Sequence, residues 1–118
     1  MTAGRSTGTG SHARRGPARH ERPAIDEAAL VAARAADRLL RDAQHRGAER
    51  WVAYFEPLPD GLRDAELADL RRIALRARAA YGPKDSIRDA LPSELTEPFL
   101  EAVDRLLKEL ARREVSGG

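Results

Sequence analysis

The sequence predicts an all-α fold, a small helical bundle, and three observations carry that prediction. Apolar residues recur at three- and four-residue spacing over most of the chain, as in amphipathic helices. They are mainly Ala and Leu, with only five aromatic positions, Trp51, Tyr54, Phe55, Tyr81 and Phe99. Such side chains suit helices packed at close range, whereas a β-sandwich wants β-branched and aromatic residues. Gly and Pro fall between the periodic segments, around positions 57–61 and 82–83. The expected bundle has three main helices, the first kinked or broken near Gly47, plus one short connecting helix and a disordered N-terminal tail.

Residues 1–23 are the tail. They are rich in Gly, Ser, Thr, Arg and Pro and nearly empty of large apolar side chains, so burial cannot offset the entropy of ordering them. Residues 24–115 form the expected α-helical domain, large enough for a thin core, and residues 116–118 fray. The first helix should begin near Asp26, where Pro23 precedes it and Asp26 and Glu27 match the helix dipole. Ile25, Ala28, Ala29, Ala32, Ala36, Leu39, Leu40 and Ala43 share one face. After Gly47 the apolar phase shifts to Trp51, Val52 and Phe55, which marks a second segment over about 48–56.

Pro57, Leu58, Pro59, Asp60 and Gly61 read as a turn. Asp64 is the expected N-cap of the next helix, which runs to Tyr81 with Leu67, Leu70, Ile73, Ala74 and Ala77 as its stripe. Gly82 and Pro83 end it. A short helix follows over about 85–91, with Ser86 and Asp89 as a capping box and Ile87 and Leu91 as anchors. Ser93 or Thr96 caps the last helix, with Pro98 tolerated in its first turn. Leu95, Phe99, Leu100, Val103, Leu106, Leu107 and Leu110 take one side, and Phe99, Val103 and Leu106 are expected at the centre of the core. The helix should end near Glu114.

The chain has no cysteine, which excludes disulfides, thiolate zinc sites and a cysteine nucleophile. The early residues lack the apolar stretch of a secretory signal, and Arg14 and Arg15 are followed by Gly16 and Pro17 rather than the apolar run of a twin-arginine signal. The longest purely apolar run, 28–33, is too short for a bilayer. The expected location is cytoplasmic, with no membrane partner. Nineteen of the 21 basic residues are Arg; with the abundant Ala, Gly and Pro this fits GC-rich coding, as in a high-GC bacterium. The net charge of +2 hides an asymmetry, since the tail carries five Arg against Glu21 while the rest is slightly acidic.

No motif carries an enzyme's chemistry, and no cofactor, metal or small-molecule substrate is expected. His45 and Glu49 share a helical spacing, but no third fixed ligand accompanies them, so a solvated face is favoured. Glu94, Glu97, Glu101 and Asp104 form an acidic stripe whose order along the helix matches the dipole; a docking surface for a basic partner is the alternative. Arg71, Arg72, Arg76 and Arg78 form a basic band suited to phosphate or an acidic partner, against the reading of cations in a helix's C-terminal half partly paired with Asp69. Gly82 through Ser86 lack the spacing of a phosphate loop. The helix–Gly–helix order over 67–91 reads as a packing corner rather than a DNA-reading motif, because Pro92 cuts the second helix short. Arg14, Arg15, Arg19 and Arg22 of the tail can attract a polyanion or simply solubilise the chain. The Ala-rich stripe Ala28, Ala32, Ala36, Leu39 and Ala43 is an expected homodimer or partner-docking face.

Two functional classes follow. The leading one is a small non-enzymatic binding or regulatory protein that acts through helix surfaces on a protein partner or a second copy. The alternative is a nucleic-acid-associated protein that uses the basic tail and the arginine band.

Overall fold

In the computed structural model, residues 18–117 are described, with side chains to Arg112, and they are all-α. Five α-helices occur among them: α1 (Pro23–Arg46), α2 (Glu49–Phe55), α3 (Leu58–Asp64), α4 (Leu67–Arg78) and α5 (Ser93–Gly117). Single 3-10 turns lie at Arg19–Glu21, Ala79–Tyr81 and Ile87–Asp89. The tail expected over 1–23 lies outside the described residues up to position 17; from Ala18 onward it belongs to the fold.

α1 is the central helix. It packs against α5, α3 and α2, while α4 packs on α3 and α5. This corrects the reading of its small-residue stripe. Ala28, Ala32, Ala36, Leu39 and Ala43 are each 0 % exposed, as is Ala29, and Ala33 and Ala35 are nearly so. Neighbours on several sides leave no free apolar face. The small side chains bring the helices close enough for dispersion to stabilise the contact, so the stripe is interior and not a docking face.

Gly47 ends α1 in the left-handed conformation, with φ 70°. Its N–H donates to the Gln44 carbonyl, and the Ala48 N–H reaches back to Ala43 at 2.9 Å. This pair of bonds satisfies the last carbonyls of the helix, and glycine is the residue that adopts it without steric cost. The chain therefore breaks at this point, and α2 carries Trp51 and Phe55 into the core.

The segment read as a turn is α3. Proline at the start of a helix removes only an N–H that would have no partner, so Pro57 and Pro59 are compatible with it. Gly61 faces α4, where an added Cβ would lie 3.4 Å from Ile73 Cδ1. Burial of Leu58, Pro59 and Leu62 stabilises this two-turn helix, which its composition alone would not. Asp64 accordingly closes α3 rather than capping α4, which starts after Glu66. The short helix expected over 85–91 is one 3-10 turn, in which the Arg88 N–H donates to Ser86 Oγ at 3.1 Å. Ile87 and Leu91 are its buried anchors.

Arg19 belongs to the fold rather than to a free tail. Its Nη1 donates to the carbonyls of Leu62 and Ala65, both at 2.9 Å, and its Nε donates to Asp26 Oδ1 at 2.9 Å. Its side chain is only 11 % exposed. The guanidinium thus ties the start of α1 to the C-terminal end of α3, where cations are favoured. Arg19→Ala is expected to lower stability by about 1.5–3 kcal/mol, because charged hydrogen bonds are lost and two carbonyls lose their donor. Arg22→Ala, at an exposed position, should stay within about 0.5 kcal/mol. Urea denaturation of the two variants checks this, and equal small shifts would count against the clamp.

Candidate arginine face on α4

Helical spacing sorts the side chains of α4 into a buried and an exposed side. Leu67, Leu70, Ala74 and Ala77 are buried. The outer side carries Ala68 and Leu75, and the 3-10 turn that follows extends this narrow ridge with Ala79, all exposed. Leu75 is 43 % exposed and is the one large hydrophobic residue so exposed among the described residues. Arg71 and Arg78 lie along one flank of the ridge, and Arg72 and Arg76 along the other. The basic band expected from the sequence is therefore on one face, and that face has an apolar centre line.

The four arginines are held differently. Arg78 Nε donates to Asp104 Oδ1 of α5 at 2.9 Å. The Arg76 guanidinium lies 4.5 Å from the centroid of the Tyr54 ring, and the Tyr54 hydroxyl donates to the Arg76 carbonyl at 2.6 Å. Stacking on the ring fixes the direction of that side chain. Arg71 and Arg72 are exposed. The planar, always charged guanidinium matches carboxylate or phosphate oxygens in pairs.

The tail arginines are divided by the structure. Arg14 and Arg15 lie outside the described residues. Arg19 is engaged in the clamp, so it is withdrawn from the polyanion set. Arg22 is exposed at the N-cap of α1.

The other groups singled out in the sequence are dispersed or occupied. His45 is in the last turn of α1 and Glu49 opens α2, so Gly47 separates them onto two helices. Among the described residues, no group of three or more His, Asp or Glu is placed to hold a metal ion. The acidic stripe on α5 is partly paired. Glu97 receives two hydrogen bonds from the Arg88 guanidinium, at 2.8 and 2.9 Å, and one from Thr96 Oγ1 at 3.0 Å. The Arg88 bonds hold the Glu97 carboxyl down at about 2. Arg88 also lies over the Tyr81 ring, whose buried hydroxyl donates to the Thr96 carbonyl. Burial, with Glu97 nearby, pushes the Tyr81 phenol above its ordinary range. These contacts fasten the 79–91 segment to α5.

The corner over 67–91 offers no second helix for a groove; it ends in the single turn Ile87–Asp89. Its left-handed residue is Asp85, with φ 54°, rather than Gly82. Sequence reasoning missed a second basic stripe, Arg34, Arg38 and Arg41 on the exposed side of α1. Their spacing of four and three residues was the available signal. Among the described residues, no helix is long and apolar enough to cross a membrane. Compared with models of known families, with curated proteins and with solved structures, the chain gives no match.

Proposed function

We propose that this is a small non-enzymatic binding protein and that the outer face of α4 is the surface it binds with. The observation that carries the proposal is the setting of Leu75: an exposed leucine on a ridge of small residues, flanked by Arg71, Arg72, Arg76 and Arg78. The face thus combines one exposed apolar side chain with a row of arginines. An interaction surface uses an apolar centre with a polar rim, and arginine is enriched in such surfaces.

The alternative, association with nucleic acid, is favoured by one observation. Arg72 and Arg76 are exposed on the α4 face, where guanidinium groups can meet phosphate oxygens. Phosphate contact needs only such charge, and its affinity falls steeply with salt.

Retention on immobilised heparin, a generic polyanion, tests which face dominates. The doubly substituted Arg72→Ser, Arg76→Ser chain is expected to elute at lower salt than an Arg34→Ser, Arg38→Ser chain, although both lose the same charge. Equal elution would show that net charge alone governs retention and would remove α4 as the preferred face.

A further inference from the structure

Resting on that reading of α4, we infer that the occupant of the face is an acidic helical segment of a protein partner, with an apolar side chain seated against Leu75. The sign of the partner follows from charge. Arg72 and Arg76 are exposed beside the ridge, and guanidinium groups favour carboxylates held in pairs. The class of partner follows from the ridge. Ala68 and Ala79, toward either end from Leu75, are small and exposed, so the ridge offers an apolar contact centred on Leu75. A phosphate backbone gains nothing from an apolar contact. A helix that reads duplex DNA presents polar side chains to the base edges, and here the centre line is Ala, Leu and Ala. The Tyr54 ring is covered by Arg76 and so is not a platform for stacking bases.

A second copy of the chain fits less well. A two-fold contact sets a patch against itself, which would place these arginines against arginines. A stable interface also buries about 800 Å² on each partner, and a single exposed leucine does not supply its apolar centre. α4 has 12 residues and spans about 18 Å at 1.5 Å per residue. A short helix of similar length therefore covers it, with weak and salt-sensitive affinity. The Arg76 guanidinium is already placed by Tyr54, so less ordering accompanies its engagement.

Fluorescence anisotropy with the full chain tests this against two labelled probes. One is a glutamate-rich peptide of about 14 residues, a little over the length of α4, with leucines four residues apart. The other is a DNA duplex of matching length. The peptide is expected to bind, and Leu75→Ser to weaken it about tenfold, the effect of about 1.4 kcal/mol. Replacing the peptide leucines with serine should produce the same loss in the parent chain and little further loss in Leu75→Ser, as a double-mutant cycle requires for a direct contact. Arg72→Ser with Arg76→Ser should weaken the peptide more strongly still. The inference is overturned if the peptide does not bind, or if Leu75→Ser leaves its affinity unchanged. Tighter binding of the duplex, indifferent to Leu75 but with a log–log salt slope that falls by about 0.9 for each of Arg14, Arg15, Arg72 and Arg76 removed, would keep α4 as the binding face and make its occupant nucleic acid. Indifference of both probes to Arg72 and Arg76 would overturn the reading of α4 itself.

Discussion

Ala36→Glu is expected to abolish the folded state. Ala36 is 0 % exposed in the middle of α1, the helix against which α2, α3 and α5 are packed. Local helix preference is not the cause, because Glu is a good helix former. The longer side chain has no space in a close-packed interior, and its carboxylate would be taken from water with no partner provided. Overpacking costs about 1–3 kcal/mol, and an unpaired buried charge adds several more. The total is comparable with the roughly 5–15 kcal/mol that holds a domain together. Circular dichroism should show loss of the cooperative thermal transition. Arg38→Glu, two residues along on the exposed side, should stay close to the parent. A folded Ala36→Glu monomer that had merely dissociated from a dimer would restore the 28–43 stripe as an interface.

That stripe shows how far periodicity carries a reading and where it stops. The spacing of Ala28, Ala32, Ala36 and Ala43 identifies a helix and an apolar face. It does not say what covers the face, since alanine suits close approach by a neighbouring helix or by another molecule. The answer lies in packing by α3 and α5, one of which has too few residues to be recognised by its spacing. α3 was hidden by Pro57, Pro59 and Gly61, which mark turns when read locally but are tolerated in a first turn and against a close neighbour. Arg19 reads as part of a free tail because its own neighbours in sequence are polar. Its partners, Leu62 and Ala65, lie more than 40 residues away and offer backbone carbonyls that no side-chain pattern reveals. The arginine band was legible because its members share one helix. Its apolar centre was not, because Leu75 interrupts no pattern until Leu70, Ala74 and Ala77 are seen to face the other way.

Phe99→Ala is expected to be the most damaging truncation in the core short of introducing charge. Phe99 is 0 % exposed near the start of α5. Its ring meets Phe55 of α2 edge-on, with centroids 5.5 Å apart, and lies roughly parallel to Tyr81 at 6.5 Å. It therefore joins α2, the turn after α4 and α5 at one point. Truncation removes the buried ring and its aromatic contacts and leaves a cavity, a loss of about 3–5 kcal/mol. At about 4–8 °C per kcal/mol for a domain of this size, the thermal midpoint should fall by more than about 10 °C. Leu106→Ala, also 0 % exposed on the same helix, should cost about 2–5 kcal/mol. Phe99→Leu keeps an apolar group in place and should cost less than the alanine variant. Glu101→Ala, two residues along on the exposed face, should change the midpoint little, since substitutions at such positions stay within about 0.5 kcal/mol. Differential scanning calorimetry of the four variants separates these expectations. Similar small shifts in all four would mean that α5 does not organise the interior. A large loss in Leu106→Ala with little in Phe99→Ala would move the centre of the core away from the aromatic junction and toward the contact between α1 and α5.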